Sequence, residues 1–109
     1  MNDKDNIINT IRKFNDERDW SQFHNAKDLA MSISIEANEL LECFLWKKSE
    51  EVNVEKVKEE LADVLIFSFM FADKFDFNIE DIMRQKIELN AIKYPVEKAK
   101  GKASKYNEL

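Results

Sequence analysis

Glycine and proline occur once each in the 109 residues, as Gly101 and Pro95, and both stand near the C-terminus. Residues 1–94 therefore contain neither. Glycine is the residue that reaches positive φ at little steric cost, so its absence excludes glycine-rich phosphate loops, dinucleotide-binding fingerprints and most tight β-hairpins. What remains is a chain of helices whose ends are set by capping side chains and polar clusters. With 44% hydrophobic and 11% aromatic residues, the chain is too apolar to stay disordered, and its length suits one small domain.

Four helices follow from the periodicity. The first spans about Asp3 to Glu17, with Ile7, Ile8, Ile11 and Phe14 on one stripe. An aromatic loop, Trp20-Ser21-Gln22-Phe23-His24, separates it from a second helix that begins after Asn25, a good N-cap, and runs to about Lys47. The apolar stripe of this helix is Leu29, Ile33, Ala37, Leu40, Leu41 and Phe44. A third helix covers about Val54 to Phe75. The fourth starts after Asn78, where Glu80 and Asp81 suit the positive end of the helix dipole, and stops before Pro95. From Val96 the chain reads as a lysine-rich tail. Between Leu61 and Ala72 only Asp63 and Ser68 are not apolar, and a helix apolar nearly all round needs burial on every side. A bundle completed by self-association is expected.

Charge and cysteine content narrow the partners. Seventeen basic and 22 acidic residues give a net charge of −5, which disfavours nucleic-acid backbone and anionic membrane surfaces. One cysteine, Cys43, and one histidine, His24, allow neither an internal disulfide nor a zinc site built from those ligands. The segment MNDKDNIINT lacks the apolar run of a secretory signal, and no stretch is long enough to span a bilayer, so a cytoplasmic protein is expected.

The acids carry the chemistry. Glu36 and Glu39 lie three apart on the second helix, with Glu42 one step further, and Glu60 and Asp63 repeat the spacing on the third. Glu36 borders an apolar stripe, and Asp63 sits inside the most apolar segment of the chain. Carboxylates crowded against apolar surface are costly to ionise, and a divalent cation removes both the desolvation and the repulsion. Hard oxygen ligands without histidine or cysteine suit Mg²⁺ or Mn²⁺. Acid pairs also arise by chance in a chain that is 36% charged, so the two pairs must be brought together to matter. Trp46, seven after Glu39, and Phe67, four after Asp63, follow the acids along their helices. Lys86, Asn90 and Lys93 form one polar stripe on the fourth helix. Acids for a metal, flat aromatic faces and a cationic stripe are parts for a ligand with phosphates and a base.

The pattern Glu36-Ala-Asn-Glu39 followed by Glu60-Leu-Ala-Asp63 resembles the signature of the MazG-like all-α nucleoside triphosphate pyrophosphohydrolases. It is most similar to their dCTP pyrophosphatase branch, through the loop Glu17-Arg18-Asp19-Trp20-Ser21-Gln22-Phe23-His24, Phe44-Leu45-Trp46-Lys47, Lys93-Tyr94-Pro95 and the closing Lys105-Tyr106-Asn107-Glu108-Leu109. The resemblance implies a four-helix catalytic domain over residues 1–95, a tail over 96–109, and a homodimer or homotetramer. It implies Mg²⁺ on Glu36, Glu39, Glu60 and Asp63, with Glu36 or Glu39 as the base. Trp20, His24 and Trp46 match the base pocket, while Lys86, Asn90, Lys93 and Tyr94 match the phosphate region. His24 and Asn38 are the polar candidates for contacting the base edge. Many relatives have Gly where Ala37 or Asn38 stands, and Phe67 replaces a tyrosine of the eukaryotic members, removing one possible hydrogen bond. The expected reaction is hydrolysis of a dNTP, dCTP or a modified dCTP first, to dNMP and pyrophosphate. Two other readings of the same residues are a phosphoribosyl-ATP pyrophosphohydrolase, against which the aromatic loop argues, and a non-catalytic helical adaptor.

Overall fold

The computed structural model describes the chain from residue 3; residues 1 and 2, part of the N-terminal stretch read above for a secretory signal, lie outside the described residues. The described residues are helical, without a strand, as the sequence predicts: α1 (Asp3–Glu17), α2 (Ala26–Glu42), α3 (Val54–Lys74), α4 (Ile79–Lys93) and a short α5 (Val96–Ala99). Two compact units are formed, Met1–Phe77 and Asn78–Leu109.

Three of the helices start in one way. The side chains of Asn25, Asn53 and Asn78 accept hydrogen bonds from the backbone N–H groups of Asp28, Lys56 and Asp81, satisfying donors that the first turn leaves free. Helix ends normally favour a left-handed residue, usually glycine. Here Asp19 (φ 52°) and Asp76 (φ 58°) take that role after α1 and α3. Asp tolerates this region better than most residues because its short side chain bonds locally. Both ends close alike: Trp20 N–H reaches Asn15 C=O at 2.9 Å, and Phe77 N–H reaches Ala72 C=O at 2.9 Å.

In the first unit, α2 and α3 form an antiparallel hairpin. Leu29 shares a cavity wall with Met70, Glu36 clusters with Glu60 and Asp63, and Glu39 and Cys43 line a groove with Lys56 and Glu60. Numbers rise on one helix as they fall on the other. In this unit Leu29, Cys43, Met70 and Ala72 are buried, with Ile33, Leu40, Val57, Val64 and Phe67 half-buried. Helix α1 packs on α3 and is tied to it by Arg12, whose Nε donates to Asp73 Oδ2 at 2.8 Å and whose Nη2 donates to Asp73 Oδ1.

Two boundaries differ from expectation. Helix α2 ends at Glu42, five residues before Lys47, because the chain tightens into three-residue turns and Trp46 adopts φ 62°. Cys43, Phe44 and Leu45 N–H bond back to Leu40, Leu41 and Glu42 C=O. The stretch from Val96, read as a tail, contains α5, which stops before Gly101 at φ 77°, and a helical turn at Tyr106–Glu108. In this second unit the Tyr106 ring meets Tyr94 edge-on at 6.3 Å and lies 5.1 Å from Lys93 Nζ.

Candidate active site

The antiparallel register turns two separate acid pairs into one cluster. Glu36, Glu60 and Asp63 each offer a carboxylate oxygen, all within 4.8 Å of one another. Oxygens on opposite sides of one hard cation stand roughly 4–5 Å apart, twice the metal–oxygen distance of about 2.0–2.6 Å. The three oxygens thus span a single coordination sphere. Glu39 completes the group, within hydrogen-bond reach of Glu36 and Glu60.

The cluster is electrostatically strained. Glu36 Oε2 and Glu60 Oε2 are shielded from solvent without a hydrogen-bond donor. The Glu39 carboxyl is held above the ordinary carboxylate range, first by its hydrogen bond with Glu36, then by the Glu36 charge and desolvation. Glu60 is raised by desolvation, then by its hydrogen bond and repulsion with Glu39 and the charge of Asp63; Lys56 works against these. Orphaned, crowded carboxylate oxygens are the donor set that a hard divalent cation satisfies. The residues present fit a metal ion. Lys56, which the sequence reading did not single out, faces the same groove; it falls on the stripe of Glu60 and Asp63 at i, i+4 and i+7, the signal that could have found it.

Beside the acids lies an apolar cavity of about 390 Å³. Ile7, Ile11 and Phe14 of α1 form one wall, Ile66, Phe67 and Met70 of α3 another, and Trp20 and His24 of the connecting loop line it as well. Trp20 is held edge-on to Phe14 at 5.7 Å, and Arg18 covers the Phe14 ring at 3.8 Å. Asp63 belongs both to this cavity and to the acid cluster. A ligand with a charged end and a flat apolar body can therefore occupy both at once.

The remaining expected residues sit elsewhere on the chain. Asn38 is exposed on α2, where its Nδ2 donates to Glu42 Oε1 at 3.2 Å. Trp46 is 94% exposed and does not line the cavity. Lys86, Asn90 and Lys93 occupy α4 in the second unit, with Tyr94 at its C-cap. Tyr106, joined there to Lys93 and Tyr94, carried no signal in sequence beyond its place in the closing segment.

The model of the MazG-like family matches residues 31–109, which include all four acids. The chain belongs to the MazG-like family. It is 33% identical to dCTP pyrophosphatase 1 of Bos taurus and 32% to that of Homo sapiens, over 89% of its length in each case. It spans 62% of the length of these relatives. A pyrophosphatase from Archaeoglobus fulgidus, known from its crystal structure, superposes with a TM-score of 0.83 at 38% identity, over 87% of this chain and 94% of that one. Among the described residues no helix is long and apolar enough to cross a membrane.

Proposed function

We propose that this MazG-like chain hydrolyses nucleoside triphosphates to monophosphate and pyrophosphate, with dCTP or a base-modified dCTP preferred. The observation that carries the reading is the position of Asp63, which belongs to the acid cluster and also lines the apolar cavity. Glu36, Glu39, Glu60 and Asp63 would hold Mg²⁺, for which Mn²⁺ could substitute. Bound there, the cation neutralises phosphate oxygens and acidifies water. The protein's own part is to fix the triphosphate for in-line attack and to take the water proton on an α2 carboxylate, Glu36 or Glu39. Lys86, Asn90, Lys93 and Tyr94 are assigned to the phosphates, and Trp20, His24, Phe67, Asn38 and Trp46 to the base. Similarity to proteins named dCTP pyrophosphatase supports the choice of base. The setting for such an activity is the cytoplasm.

The same reading includes a homodimer or homotetramer. It is supported by the apolar surface that one chain leaves open: Leu61, Leu65 and Ile66 on α3 are 44%, 47% and 38% exposed. Trp46, which is 94% exposed and does not line its own chain's cavity, is then assigned to the site of a second copy. Pyrophosphate release from a panel of dNTPs with Mg²⁺ is the deciding experiment. Pyrophosphate from dCTP ahead of the other dNTPs is expected; release from none of them, or only from phosphoribosyl-ATP, overturns the assignment.

A further inference from the structure

The acid cluster stands between two openings. On α3 the apolar cavity is lined by Asp63, Ile66, Phe67 and Met70, whereas Lys56 and Glu60 line a groove of about 350 Å³ toward the start of the same helix. On α2 the order is reversed, as antiparallel packing requires: Glu36 joins the cluster, and Glu39, Glu42 and Cys43, further along, line the groove. Cavity, acids and groove therefore follow one another along the hairpin. Lys56, Glu60, Asp63 and Phe67 fall at i, i+4, i+7 and i+11 on one stripe, about 16 Å of helix by the α-helical rise. A nucleotide with an extended polyphosphate has that reach. A base held at Phe67 leaves the groove to the phosphates farthest from it.

Lys56 is the cation of the groove. Its backbone N–H donates to Asn53 Oδ1 at 3.2 Å, which fixes it in the first turn of α3. The residue is exposed, and its ammonium makes no hydrogen bond or ion pair among the described residues, although its charge is felt at Glu60. Lys58, by contrast, is paired with Glu55 at 3.4 Å. Helix stability does not account for Lys56, since a cation in the first turn meets the positive end of the dipole. Of the acids in the groove, Glu39 and Glu60 belong to the proposed metal set, and Glu42 accepts from Asn38. With a divalent cation on the first two, the ammonium is left to meet an anion.

We propose that Lys56 binds the terminal phosphates of the substrate and so makes the site select for phosphate number, triphosphates over monophosphates. The inference rests on the proposed pyrophosphohydrolase reading for the place of the base. Two substitutions test it, both at an exposed position that the fold does not need. Lys56→Gln removes the charge; Lys56→Arg keeps it. The first readout is calorimetric binding of inorganic pyrophosphate and of dCMP at saturating Mg²⁺; the second is KM and kcat for dCTP. Lys56→Gln is expected to weaken pyrophosphate binding roughly 10- to 100-fold, the size of one charge-assisted contact, and to lower kcat/KM for dCTP by a similar factor. Binding of dCMP should stay unchanged, and Lys56→Arg should recover most of both losses. Unchanged pyrophosphate affinity in Lys56→Gln would overturn the proposal, as would a wild type that binds no pyrophosphate. Equal weakening of pyrophosphate and dCMP would show that Lys56 only balances the acids, and would overturn it too. Lys56-dependent pyrophosphate binding in a protein that releases no pyrophosphate from any dNTP would refute the enzymatic reading and leave this phosphate contact standing.

Discussion

Glu60 and Trp46 both occupy positions that their chemistry makes costly, and each cost has a measurable sign. An acid raised in the folded state binds its proton more tightly there than in the unfolded chain. Its contribution is therefore complete below the ordinary value of 4.5 and is lost as pH rises through the folded value. The metal-free protein should lose thermal stability as pH rises above 4.5, and Mg²⁺ should restore more at pH 8 than at pH 5. Glu60→Gln should flatten that slope and raise the metal-free Tm. It should also cut dCTP turnover by more than the roughly 10–100-fold typical of losing a group that only orients a metal ligand. Melting curves across pH, with and without Mg²⁺, check the first pair of statements; unchanged turnover in Glu60→Gln would remove the residue from the site. Trp46 holds φ 62° without the freedom of glycine, at a cost of roughly 1–2 kcal/mol. Since the side chain is 94% exposed, Trp46→Gly should raise Tm while lowering kcat/KM for dCTP about ten- to a hundred-fold, the size of one lost base stack. A loss of stability together with unchanged kinetics would show the ring to be structural.

Helices and their ends set how much of the molecule could be read in advance. The starts of α2 and α4 were legible because asparagine before an acid-rich or apolar turn is a cap with a known mechanism. Asn53 caps α3 in the same way, and Asn53→Ala should cost about 1 kcal/mol, read as a lower Tm. The end of α2 was not legible, because a tryptophan carries no sign that it will turn left-handed. The two acid pairs were visible as spacing, yet only the antiparallel register of α2 against α3 makes them one cluster. The tie between α1 and α3 needed coordinates. There the Arg12 hydrogen bonds, and then the Arg12 charge, hold the Asp73 carboxyl below its ordinary 3.8 against desolvation. That stability is present above 3.8 and lost as pH falls through the folded value. Asp73→Asn should lower Tm at pH 7, and the difference from wild type should shrink below pH 3.8; a gap that persisted in acid would mean the pair contributes by packing.

Taken whole, the chain buries too little to account for its apolar content. Among the described residues, Leu29, Cys43, Met70 and Ala72 are the buried apolar ones, whereas Leu41 near the end of α2 and Leu45 and Trp46 just after it are 67%, 59% and 94% exposed. Covering a leucine fully is worth roughly 1.5–3 kcal/mol, so each of these side chains leaves a large fraction of that unrealised in a single copy. A second copy of the same surface is the partner always present at the right concentration, and light scattering should give a mass well above 12.9 kDa. Leu65→Glu should lower that mass, because a charge placed on the face to be covered opposes its burial. If Trp46 of one copy serves the acids of another, complementation follows. Glu60→Gln and Trp46→Ala each impair every site of their own oligomer. In a mixed dimer one site collects both changes and the other has neither. Random mixing in equal amounts makes half the dimers mixed, so activity should return to about a quarter of wild type. Were Trp46 to act on its own chain, every site in the mixture would keep one defect, and mixing would restore nothing beyond the average of the two variants.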